Sequence, residues 1–112
     1  MSNAPKTTDK LPGFVEAVRE RYPEVWEAYS RLADATVAAG PMDARTLRLV
    51  KLALAVGSRS EGSVHSHARR GLAEGIPPEE LEQVALLAIT TLGWSQAMAA
   101  LSWIADVTRK SE

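Results

Sequence analysis

Apolar residues recur along this chain with a helical period, and no window sustains the two-residue alternation of a half-buried strand. Glycines and prolines cut that pattern into segments. Residues 1–10 are polar, hold Pro5, and are expected to form a flexible N-terminal segment ahead of a single helical domain over 11–112. A first short helix is predicted from about Gly13 to Arg21, ended by Tyr22-Pro23. Pro23 suits the first turn of a second helix, which carries Val25, Trp26, Tyr29, Leu32 and Ala33 at helical spacing and closes at Gly40-Pro41. Asp43 reads as the N-cap of a third helix through Leu47, Leu49, Val50, Leu52, Leu54 and Val56, with Gly57 as its stop. At ~100° per residue, Arg45, Arg48, Lys51 and Ala55 share one narrow stripe of that helix. Almost everything else on it is apolar, so it is expected to be the most buried helix, with a single basic seam.

Ser58-Arg59-Ser60-Glu61 has the spacing of a capping box, with Ser58 as cap and Glu61 as its acid. The fourth helix then runs to about Glu74 and stops at Gly75. Pro77-Pro78-Glu79-Glu80 opens a fifth, with proline and acids in the first turn, and Leu81, Val84, Leu87, Ala88 and Leu92 follow. After Gly93 a sixth helix, rich in Ala and Ser, extends from about Trp94 to Val107. The fold class is therefore all-α, a bundle of about six helices.

Composition narrows the function. Apolar residues make up 46% of the chain but aromatics only 5%, so Ala, Leu and Val fill the core, and small side chains favour close helix contacts and oligomer formation. The net charge of -1 offers no basic excess for nucleic acid. With 0 Cys, disulfides, thiolate metal sites and a cysteine nucleophile are excluded. The N-terminus has no apolar core of a signal peptide or anchor. The uncharged run between Val84 and Ala105 is long, but Thr90, Thr91, Gly93, Ser95, Gln96 and Ser102 interrupt it. It reads as two buried helices, not a membrane span, and a cytoplasmic location is the default.

Both histidines lie on the fourth helix. Val64, Ala68, Gly71 and Leu72 form its core-facing stripe; Glu61 falls inside that stripe and His65 sits beside it, one turn on. His67 lies on the opposite edge, in line with Ser60 and Ser63. Carboxylates and imidazoles beside a buried surface are candidates for acid–base work. Each also has a plainer explanation: Glu61 as the capping acid, His65 as a packing residue, His67 as a half-exposed helix residue. Glu61 and His65 could share a metal at i, i+4, but His67 points elsewhere, so no metal and no cofactor are expected. Without a third group to orient His67, Ser60 and Ser63 do not make a hydrolase triad.

Three stretches, Met42-Asp43 through Leu52-Ala53-Leu54-Ala55, His67-Ala68-Arg69-Arg70-Gly71-Leu72-Ala73-Glu74-Gly75-Ile76, and Pro78-Glu79-Glu80-Leu81, together resemble the carboxymuconolactone decarboxylase family. That family includes the alkylhydroperoxidase D-like proteins. Pro23-Glu24-Val25-Trp26-Glu27-Ala28 upstream is similar to the family's second helix, and the resemblance spans about Pro23 to Val107. It implies an all-helical, alkylhydroperoxidase D-like fold assembled as a homo-oligomer, a trimer or hexamer. In the peroxidase branch a Cys-x-x-Cys precedes the histidine, with a glutamate on the previous helix. Those positions fall here on Ser60, Ser63 and Arg48, so thiol peroxidase chemistry is not expected. The decarboxylase branch needs neither cysteine nor cofactor. In that reading Arg48 and Lys51 bind a substrate carboxylate, and the start of the fourth helix, with Ser60 and Ser63, offers N–H groups to another anion. His67, or the Glu61–His65 pair, supplies the acid–base group. The expected function is decarboxylase-type chemistry on a small lactone or dicarboxylate. The alternative is a non-catalytic helical oligomer that binds a ligand or serves a structural role.

Overall fold

The structure, a computed structural model, describes residues 13–109; the flexible segment expected over 1–10 lies outside them. Every regular element among the described residues is a helix, and these residues divide into two compact units that meet in sequence at Met42 and Asp43.

The first unit holds α1 (Gly13–Arg21) and α2 (Pro23–Ala38), packed on each other. Pro23 stands in the first turn of α2, where its missing N–H costs nothing. The buried residues of α2 are Ala33 and Val37, whereas Val25, Tyr29 and Leu32 are exposed. The helical spacing of the apolar residues is as expected, yet most of that stripe lies open.

The second unit holds α3 (Ala44–Gly57), α4 (Glu61–Ala73), α5 (Pro78–Leu87), α6 (Ile89–Leu92) and α7 (Trp94–Thr108). Helix α4 packs between α3 and α7, and α5 lies on α7. Leu52, Val56, Val64, Ala68, Leu81, Ala85, Ala97, Ala100 and Ile104 form the core where these helices meet. Two side chains pin α7 in place through three hydrogen bonds. Gln96 Nε2 donates to the carbonyls of Val56 and Gly57 at the end of α3, and the buried Thr108 hydroxyl donates to Glu82 at 2.8 Å.

The helix ends explain the local geometry. Asp43 caps α3 by accepting the Thr46 N–H at 2.8 Å. At the far end Gly57 is still helical. The chain turns at Arg59, which takes a φ of 58°, while Arg59 N–H bonds Val56 O and Ser60 N–H bonds Ala55 O. This is a Schellman ending with an arginine in the left-handed position that glycine prefers. The capping box expected on Ser58 is replaced by a cap on Ser60, whose Oγ accepts the Ser63 N–H at 3.3 Å. Ser58 cannot serve because the turn at Arg59 still separates it from α4; its hydroxyl donates back to Ala55 O instead. Helix α4 ends in a second Schellman turn, with Gly75 at φ 90° and Ile76 N–H on Gly71 O. The fifth helix, expected to reach Leu92, breaks at Ala88 and resumes as α6. Gly93, at φ 104°, starts α7.

The face assignment of α3 differs from expectation. Its buried residues are Arg48, Leu52, Ala55 and Val56, so part of the basic seam turns inward, while Leu54 is 67% exposed and Val50 is also open. A helix apolar on nearly every side does not reveal which side is covered. The long uncharged run begins in the last turn of α5 and continues through α6 into α7, and no helix among the described residues is long and apolar enough to cross a membrane.

Candidate functional site

Helices α3 and α4 bring Arg48, His67 and Glu74 together. Arg48 is only 4% exposed, which demands compensation for its charge. Glu74 supplies it in two-pronged form: Arg48 Nε donates to Oε1 at 2.9 Å and Nη2 to Oε2 at 2.8 Å. The Schellman turn fixes Glu74 for this role by holding it as the last residue before Gly75. Gly71 makes room: a β-carbon there would lie 3.6 Å from the Arg48 stem and 2.8 Å from Leu81.

The third contact of Arg48 sets the state of His67. Arg48 Nη1 lies 2.6 Å from His67 Nδ1. A guanidinium has only donors, so Nδ1 must accept, and the ring proton resides on Nε2. Burial of the ring, followed by the charges of Arg48, Arg70 and Lys51, pushes the imidazole down to about 3. His67 therefore stays neutral across the physiological range. Lys51, one turn beyond Arg48, is held below its usual value by burial and by its neighbours Arg48 and Arg70. Arg48, Arg70 and Lys51 thus set positive charge around the His67 ring.

The other expected site residues lie elsewhere. Ser60 is occupied as the cap of α4, with Ser63 as its partner through the backbone. Glu61, expected in the core stripe, is exposed, because it occupies the first turn of α4 ahead of the buried Val64 and Ala68. His65 faces α7, where its Nε2 lies 3.0 Å from Asp106 Oδ2. The histidines thus belong to two separate groups. The Arg48 guanidinium is already bonded to Glu74 and His67, while Lys51 lies one turn further along the same seam. Glu74 and Asp106 were not singled out from sequence. Glu74 could have been found, since it follows His67 by two helical turns on the same face; nothing local marks Asp106.

A separate groove of about 640 Å³ runs between α3 and α5–α6, lined largely by apolar side chains such as Val50, Leu54, Val84, Leu87 and Leu92. Arg45 and Glu80 form an ion pair beside it.

The model of the carboxymuconolactone decarboxylase family matches residues 23–106, a span that contains Arg48, Lys51, His67 and Glu74. No curated protein and no solved structure matches the chain.

Proposed function

Because the chain belongs to the carboxymuconolactone decarboxylase family, we propose that it decarboxylates a small lactone or dicarboxylate without an organic cofactor, at the His67–Lys51 face of α3 and α4. The observation that carries this reading is the Arg48–His67 contact, which leaves a neutral imidazole presenting its Nε2–H in a cation-rich setting.

Loss of CO2 leaves an electron pair on carbon, and in a lactone conjugated to that carbon the pair spreads onto the carbonyl oxygen as an enolate. A neutral imidazole N–H stabilises such an oxygen by hydrogen bonding. Lys51 holds a carboxylate that is retained, and solvent supplies the proton that replaces CO2. Arg48 and Glu74 are positioning residues: they fix the ring and its tautomer. Glu61 and His65 have no part in this chemistry. The assembly we infer is a homo-oligomer, supported by the open apolar groove of α3, α5 and α6 and by the exposed Val25, Tyr29 and Leu32 of α2.

Turnover in deuterated water tests the mechanism. One deuterium should enter at the carbon that lost CO2, Lys51→Met should raise KM with little change in kcat, and His67→Ala should lower kcat by ~10²-fold or more. Unchanged kcat in His67→Ala would remove the imidazole from the reaction. The saturated guanidinium of Arg48 favours one second reading, a relative that binds an anionic ligand without converting it. Tight anion binding lost in Lys51→Met, with no turnover, would support that reading.

A further inference from the structure

The first turn of α4 and the last turns of α7 meet at side chains that the proposed chemistry does not use. Glu61 and His65 stand one helical turn apart on α4, and Asp106 faces them from α7. His65 Nε2 lies 3.0 Å from Asp106 Oδ2, and one donor atom from each of the three residues lies within 4.8 Å of the other two. Among the described residues, neither carboxylate has an ion-pair partner apart from His65. Two carboxylates and one imidazole thus share a small volume, a setting that favours a cation.

The geometry points to a divalent transition-metal site, of the kind that takes Zn²⁺, formed by Glu61, His65 and Asp106 and joining α4 to α7. One imidazole nitrogen and two carboxylate oxygens suit zinc better than calcium or magnesium, which prefer oxygen alone. The two carboxylates also cancel the charge of the ion. Zinc bonds of about 2.0–2.2 Å place tetrahedral donors ~3.4 Å apart. The His65–Asp106 pair, at 3.0 Å, needs to open by only about 0.4 Å to reach this spacing. Glu61 is exposed, and rotation of its side chain closes the remaining gap. The backbone beneath is firm: Ser60 caps the first turn of α4, while Val64 and Ala68 on α4 and Ala100 and Ile104 on α7 are buried in the common core. A water completes the fourth position. From sequence only the i, i+4 pair was visible; the fold adds a ligand from 41 residues away.

The test is calorimetric titration of the tag-free, metal-stripped full chain with ZnCl2, alongside Glu61→Gln, His65→Ala, Asp106→Asn and His67→Ala. One equivalent should bind wild type. Each ligand variant should bind about tenfold more weakly or worse, while His67→Ala, which removes the other histidine, should bind as wild type does. Zinc should also raise the melting temperature of wild type but not of Asp106→Asn. Glu61→Gln and Asp106→Asn keep side-chain shape at exposed positions, and matching metal-free circular dichroism shows that they fold. No binding to wild type at ~100 µM zinc, well above the affinity of a useful three-ligand site, would overturn the assignment. So would equal affinity in Asp106→Asn, or loss of binding in His67→Ala.

Discussion

Arg48 shows how far a single residue can be read from sequence. Its place on a basic stripe suggested a clamp for a substrate carboxylate. In the fold it is buried against Glu74 and His67, and its charge is satisfied within the protein. The partner lies 26 residues away, so the pattern of α3 alone could not disclose it. Arg48→Met should destabilise the protein by about 2–3 kcal/mol, read from urea denaturation. That is below the 3–5 kcal/mol for a fully buried broken pair, because the Glu74 side chain is 23% exposed and water relieves it in part. His67 has a pH signature. The unfolded ring takes a proton near 6.5, the folded ring only near 3. Between those values unfolding takes up a proton, so the stability that depends on neutral His67 is complete above pH 6.5 and drains away as pH falls. Wild type should lose up to about 1 kcal/mol per pH unit more than His67→Ala in that window, under the 1.4 limit because the ring is partly hydrated. Equal slopes would contradict a buried, neutral ring.

At the scale of elements, punctuation in the sequence located the helices well. Prolines, glycines and Asp43 mark starts and stops that the structure retains. The sequence misleads where two signals compete within a short connection. Ser58 and Ser60 both precede an acid, and only the backbone turn at Arg59 decides which one caps α4. Ser60→Ala should therefore cost about 1 kcal/mol, and Ser58→Ala less than about 0.5 kcal/mol, since its hydroxyl returns to a carbonyl of its own helix. The reverse order in thermal unfolding would restore the capping box. Arg59 itself carries backbone strain at φ 58°. Arg59→Gly should raise stability by roughly 0.5–1 kcal/mol, the left-handed penalty less the greater freedom of glycine when unfolded. Its melting temperature should rise accordingly, and a fall would mean that the arginine side chain makes a compensating contact.

For the whole molecule, an all-helical architecture was legible because every apolar run kept a helical period and none alternated. Which face of each helix would be covered was not legible for α3, where apolar side chains stand nearly all round. Its outer face joins α5 and α6 in an open groove, and the inner face carries the charged cluster. The site was half legible for a related reason. Both histidines were visible as chemistry, but only packing separates them, sending His67 to Arg48 and His65 to Asp106. The proposal that rests on family membership and that cluster is removal of CO2 from a small carboxylated lactone with the help of His67. The most direct measurement is CO2 release from 4-carboxymuconolactone by the purified, metal-stripped chain, with His67→Ala beside it. Wild type should release CO2, at a rate that falls by ~10²-fold or more in the variant. Release that is equal in both proteins would contradict it.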